Sequence, residues 1–201
     1  MTWPFKSLRP GAYDLIVADP PWTFAARSDK GLGKSPQAHY GCMSLAAIGA
    51  LPVERLAKRD AWLLLWTCAP LLDAAFGIGA EWGFSYVSRA SWAKTTVNGK
   101  RRMGPGYVVR TLSEDVLIFK RGQPAFARAF PSLFDGLARE HSRKPEEFYA
   151  LVERFAPDAR RADLFSRQRR RGFDGWGNEL SKFPRPADLP LSSSTILEAA
   201  E

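Results

Sequence analysis

At 201 residues and 45% hydrophobic content, the chain suffices for one globular domain with a sizeable core. Lys+Arg 29 against Asp+Glu 21 gives a formal charge of +8, a balance suited to a polyanionic partner, of which nucleic acid is the commonest. Cys42 and Cys68, with His39 and His141, match neither a disulfide framework nor a zinc spacing. No apolar run reaches membrane length, and Met1-Thr2-Trp3-Pro4-Phe5-Lys6 does not read as a signal peptide, so a reducing, cytoplasmic setting without a metal or a membrane is expected.

Residues 1–12 form a lead-in containing Pro10-Gly11. Tyr13 to Ala18 reads as a buried strand, a short apolar run that an acid and two prolines stop. Asp19 then stands at the carboxyl end of a strand, where open α/β sheets place their ligands. The Asp19 and Pro20 carbonyls precede amides that carry no N–H, and Trp22 adds a large aromatic. Such a cluster can accept hydrogen bonds from an amine and stack on a flat ring. The simpler alternative is a Pro-Pro turn followed by a core tryptophan. The polar stretch 23–41 is long for a structureless connection. Its Gly31-Leu32-Gly33-Lys34-Ser35 lacks the leading glycine of a phosphate loop, having Ser28 there, and Pro36 interrupts the required helix. A lysine-bearing lid is the better account, with Tyr40 of His39-Tyr40-Gly41 as a stacking platform.

Ser44 is placed to cap a helix from 45 to about 50. Ala61 to Trp66 reads as a second buried strand, Pro70 opens a helix to about Trp82, and Phe84 to Trp92 reads as a third strand. That βαβ pattern predicts a parallel sheet. Residues 94–112 are basic and glycine-rich, and Glu114 to Phe119 reads as a fourth strand. Helix and loop both remain open for 123–139. From Pro145 to Phe155, apolar Phe148, Leu151, Val152 and Phe155 recur at helical spacing, behind Glu146 and Glu147 in the first turn. Ser142 is a candidate cap for that helix. Lys144 opposes the helix dipole there and is more sensibly aimed at an anion, a solvated basic turn being the alternative.

Arg161 to Phe165 reads as a fifth strand, followed by Arg167 and Arg169-Arg170-Arg171. In Gly175-Trp176-Gly177-Asn178-Glu179, the last two side chains can hydrogen-bond ribose hydroxyls or an adenine edge, and the glycines admit close backbone approach. Residues 181–201, rich in Pro and Ser, read as a flexible tail behind a catalytic domain of residues 1–180. Lys34, Lys100, Arg101, Arg102 and Arg169 to Arg171 all fall near strand ends. They are expected to form one track for a phosphate backbone around Asp19.

Four of these blocks, in this order, resemble the DPPW-type N6-adenine methyltransferases, the family of the mRNA adenosine methyltransferase catalytic subunit, with bacterial and phage members. They are Asp19-Pro20-Pro21-Trp22, His39 to Ser44, His141 to Tyr149, and Leu164 to Arg167 with Gly175 to Glu179. The resemblance implies an α/β, Rossmann-like methyltransferase fold: a mostly parallel sheet with helices on both faces, permuted so that the catalytic strand precedes the cofactor strand. It implies S-adenosylmethionine as cofactor and the N6 amino group of adenine in nucleic acid as acceptor, DNA favoured over RNA. Asp19, Pro20, Pro21 and Trp22 would be the catalytic motif, with Asp19 and the Pro20 carbonyl holding the target amine. Trp22 and Tyr40 would line the base pocket, with Arg101 and Arg102 on the substrate backbone. Lys144 would contact the cofactor's carboxylate or the target. Ser142, Phe165, Arg167, Asn178 and Glu179, together with Asp19, would bind the cofactor. Relatives with cofactor contacts well upstream of the catalytic strand have no counterpart in the twelve residues before Tyr13. The rival reading is a catalytically silent nucleic-acid-binding partner subunit, against which the intact Asp-Pro-Pro-Trp argues.

Overall fold

The computed structural model describes residues 3–23, 42–106, 108–140 and 143–183. Tyr40, Ser142, the Gly31–Ser35 segment and the tail from 184 onward therefore lie outside the described residues. Among those described, no helix is long and apolar enough to cross a membrane.

Seven strands form one sheet: β1 (Tyr13–Ala18), β2 (Ala57–Thr67), β3 (Ser85–Thr95), β4 (Ser113–Arg121), β5 (Leu133–Leu137), β6 (Arg161–Leu164) and β7 (Phe173–Trp176). Their order is β5-β3-β4-β2-β1-β6-β7. β4 runs antiparallel to both its neighbours, and all other pairs are parallel. β1 is central and buried on both faces, as its continuous apolar run requires. Its side chains alternate between the faces. Ile16 and Ala18 join Leu63, Leu65, Ile78 and Trp82 on one side, while Leu15 and Val17 join Leu64, Trp66, Phe148 and Val152 on the other.

Helices cover both faces. α1 (Leu45–Gly49) is capped by Ser44, whose Oγ accepts from Ala47 N at 3.2 Å, and it buries Ile48. α2 (Leu72–Glu81) follows a 3-10 turn, Ala69–Leu71, that contains Pro70, and it packs Ala75 and Ile78 on the same side. α3 (Glu146–Phe155) lies on the other face and buries Phe148, Tyr149, Val152 and Phe155. Each such side chain removed from water stabilises the fold by about 1.5–3 kcal/mol.

Three expectations need correction. β2 and β3 flank α2 and point the same way but do not pair, because β4 returns between them. The 123–139 segment contains β5, paired in parallel with β3. The rest of the segment is irregular, as the loop alternative has it, but the strand was not expected, since five residues that include Gly136 carry little periodicity. A Cβ on Gly136 would sit 2.7 Å from the Trp92 indole nitrogen, and its carbonyl accepts from that nitrogen at 2.8 Å. β7 was also unforeseen. It pairs with β6 alone and is short, behind three arginines and a glycine.

Candidate active site

The carboxyl ends of β1, β2, β3, β6 and β7 and the amino end of β4 share one edge of the sheet. β1 delivers Asp19 to the middle of that edge. The chain then turns sharply: Trp22 N donates to Pro20 O at 2.8 Å, and Met43 N donates to Pro21 O at 2.9 Å. One lone pair of the Pro20 carbonyl is thereby engaged and one remains.

Beside Asp19 lies a line of alternating charges. Lys144 Nζ stands 2.9 Å from Asp19 Oδ1 and 3.0 Å from Glu114 Oε2, and Lys94 Nζ stands 2.5 Å from Glu114 Oε1. Lys144 is only 9% exposed and lies 5.0 Å from the centre of the Trp66 ring. Burial alone would push Glu114 up, but Lys144 and Lys94 outweigh it and hold the carboxyl down at about 2. Burial works against the Lys144 ammonium too, but Asp19 and Glu114 together raise its pKa. Asp19 is raised above the usual carboxylate value because its burial outweighs the pull of Lys144. Beneath the site, buried Asp163 accepts from Ser166 Oγ at 2.8 Å and Tyr149 OH at 3.2 Å, and faces Arg170. Burial pushes it up to about 6 against those partners.

A cleft of about 230 Å³ opens next to Asp19. Pro20, Pro21, Met43, Phe165, Arg167 and the run Trp176 to Glu179 line it with Asp19. Phe165 takes φ 61°, which is uncommon for a non-glycine residue, and its ring packs edge-on against Trp176 at 5.2 Å. A Cβ on Gly177 would collide with the Ser166 backbone, so only glycine permits β7 to exit this close to the end of β6. Arg167 Nε pairs with Glu179 Oε2 at 2.6 Å, and Lys182 joins the same carboxylate at 2.5 Å.

Asp19, Pro20, Pro21, Phe165, Arg167, Asn178 and Glu179, expected from separate sequence blocks, thus meet around one cleft, with Lys144 at its Asp19 end. Trp22 does not line it. Its side chain is in the core, 7% exposed, with Nε1 donating to Trp66 O at 3.1 Å, so the simpler reading of that residue describes it. Arg101 pairs with Asp135, and Arg102 donates to the Ala138 and Arg139 carbonyls, so both strap their loop to the end of β5. The third basic segment leaves the expected track. Arg170 is buried against Glu146 and Asp163. Gly172 already lies beside Arg161, at the opposite edge of the sheet. Glu114, Lys94 and Asp163 were missed as site residues. Glu114 carries no motif, and only the reversed direction of β4 brings it to the edge.

The MT-A70 family model matches residues 13–179. The chain is similar to the Type II methyltransferase M.MunI of Mycoplasma sp, 29% identical over 195 residues and covering 88% of this chain and 81% of that protein. It is 28% identical over 177 residues to the N(6)-adenosine-methyltransferase MT-A70-like protein of Arabidopsis thaliana, covering 85% of this chain and 24% of the relative. It is 26% identical over 180 residues to the N6-methyladenosine RNA methyltransferase MTA1 of Cryphonectria parasitica, covering 87% and 53%. The chain thus spans most of the first protein but about half or less of the other two.

Proposed function

The chain belongs to the MT-A70 family, and from that premise we propose that it is an S-adenosylmethionine-dependent methyltransferase acting on the N6 amino group of adenine in nucleic acid, DNA in preference to RNA. The observation that carries this reading is the position of Asp19. Its carboxylate faces the cleft made by Phe165, Arg167 and Trp176 to Glu179, and Lys144 holds it from the side.

The residues present suit the cofactor. Glu179 and Asn178 offer acceptors and a donor for ribose hydroxyls, Gly177 lines the cleft beside them, and Asp19 can accept from an ammonium. When bound there, S-adenosylmethionine supplies an electrophilic methyl group. The acceptor nitrogen is a poor nucleophile, since its lone pair is delocalised into the ring. Asp19 and the free lone pair of the Pro20 carbonyl would accept its two hydrogens and favour positive charge as it builds there. The raised pKa of Asp19 makes it a better acceptor than an ordinary carboxylate. Lys144 fixes the carboxylate's orientation, and Glu114 holds Lys144.

The test is tritiated methyl transfer from S-adenosylmethionine to matched DNA and RNA, followed by identification of the modified base. N6-methyladenine in DNA is expected. Asp19→Ala should lose transfer by at least about 100-fold, as for removal of other transition-state hydrogen-bond partners, while keeping its circular dichroism. Near-normal turnover of that variant would refute the assignment, and exclusive RNA methylation would refute the DNA preference.

A further inference from the structure

Phe183 belongs to neither apolar core. Two guanidinium groups lie over its ring instead. The central carbon of Arg143 stands 4.9 Å from the ring centre and that of Arg167 5.4 Å, both within cation–π reach. Arg143 is only 7% exposed. Its Nε donates to Gln168 Oε1 at 3.3 Å and its Nη1 to Glu140 Oε2 at 3.1 Å. Its Nη2 is buried and meets no hydrogen-bond acceptor among the described residues. The ring face is what this guanidinium has in place of a further oxygen.

The ring stands where the two halves of the candidate site meet. Arg143 precedes Lys144, the cation that holds Asp19, and Arg167 pairs with Glu179 in the cleft. Together with Asp19, Lys144, Phe165 and Arg167, Phe183 lines a cavity of about 20 Å³, room for about one water. The backbone is tied at the same place. Phe183 N donates to Arg167 O at 3.3 Å, and Lys182 N donates to Glu179 O at 2.8 Å. The loop from Gly177 to Phe183 thus leaves the backbone of Ser166 and returns to that of Arg167, carrying Asn178 and Glu179 on it. A loop ordered before its ligand arrives spares the ligand the entropy of ordering it. Building on the methyltransferase reading, we propose that Phe183 is a positioning residue for the cofactor. Its ring, held by the Arg143 and Arg167 guanidinium groups, closes this loop and presets Asn178 and Glu179 for S-adenosylmethionine.

The experiment compares wild type with Phe183→Leu, which keeps an apolar side chain without a ring face, and Phe183→Trp, which keeps the face. Calorimetry reads S-adenosylmethionine affinity, steady-state methyl transfer reads kcat and KM, and nitrogen-edited NMR reads the arginine Nε–H protons. Phe183→Leu should bind S-adenosylmethionine roughly tenfold more weakly, the scale of two lost cation–π contacts, and its KM should rise to match. Its kcat at saturating cofactor should stay within about threefold of wild type, the mark of a lost binding contribution. Phe183→Trp should bind within about threefold of wild type, because the ring face is restored. The Arg143 and Arg167 Nε–H signals should be shifted by the ring in wild type and Phe183→Trp, and not in Phe183→Leu. Wild-type affinity in Phe183→Leu, an equal loss in both variants, a fall in kcat without a rise in KM, or signals indifferent to the ring overturns the proposal. Loss of the circular dichroism of either variant overturns it in favour of a role in stability. A wild type that binds no S-adenosylmethionine takes down the methyltransferase reading and the cofactor role with it, whereas a normal wild type beside an indifferent Phe183→Leu takes down the positioning role alone.

Discussion

Lys144 is bonded to two carboxylates and buried, so its removal takes the bridging cation from between Asp19 and Glu114 and leaves Glu114 with Lys94 alone. A broken buried pair of this kind costs about 3–5 kcal/mol. Lys144→Met should therefore abolish methyl transfer and shift the acid limb of any residual activity to higher pH, as both carboxyls rise. A pH–rate profile of the variant checks this, and an unmoved limb would show that Lys144 does not set the charge of Asp19. Asp163 gives a second test at the same scale. Its folded value of about 6 stands above its ordinary 3.8. The native state therefore holds that proton more tightly, and stability from this group falls as pH rises from 3.8 to about 6. Asp163→Asn should flatten that decline in a series of thermal melts across the window. Lys144 was legible in the sequence because a cation opposing a helix dipole needs another reason to be there. Glu114 was not legible, since an acid at the start of a strand is unremarkable until its partner is known.

Among the elements, β1 and α3 were readable because each carries a strong local signal. In β1 an apolar run is stopped by Asp19-Pro20-Pro21, and in α3 Phe148, Val152 and Phe155 repeat behind Pro145. β5 and β7 lacked such a signal, being short, edge-lying and stabilised by pairing rather than by pattern. Trp22 shows the limit of motif reasoning, for its ring belongs to the core although its neighbours line the cleft. The junction of β6 and β7 carries the element-scale prediction. Ser166 N donates to Trp176 O at 2.9 Å, and Gly177 follows directly against the Ser166 backbone. Gly177→Ala must push the two chains apart there, because the collision is with backbone rather than with a flexible side chain. Affinity for S-adenosylmethionine should drop by about tenfold, the equivalent of one or two lost hydrogen bonds. Unchanged affinity in calorimetry would mean that the cleft is not the cofactor's site.

At the scale of the whole molecule, the +8 charge raises the question of where the cations face. The sequence suggested one track made of three basic segments; Lys34 of the first lies outside the described residues, and the fold parts the end of the third from the second. The connection from β6 to β7 runs back across the sheet, because those strands are parallel, and it carries Arg171 away from Asp19. Arg101 and Arg102 serve partly as struts, so replacing them would loosen the β3–β4 connection as well as remove charge. Lys100 and Arg110 are the cleaner probes of a phosphate track, being exposed and next to the site. Replacing both with alanine should weaken binding to all DNA sequences about equally, since phosphate contacts carry no sequence information. It should also flatten the log–log salt dependence by roughly 0.9 per lost contact on duplex and 0.7 on single strands. Arg171→Ala should leave that slope unchanged. Arg170→Ala should instead lower the melting temperature, because its guanidinium is buried against Glu146 and Asp163. A salt titration of DNA binding by the three variants separates these roles. A slope that responds to Arg171 and ignores Lys100 and Arg110 would place the nucleic acid on the other edge of the sheet, away from Asp19.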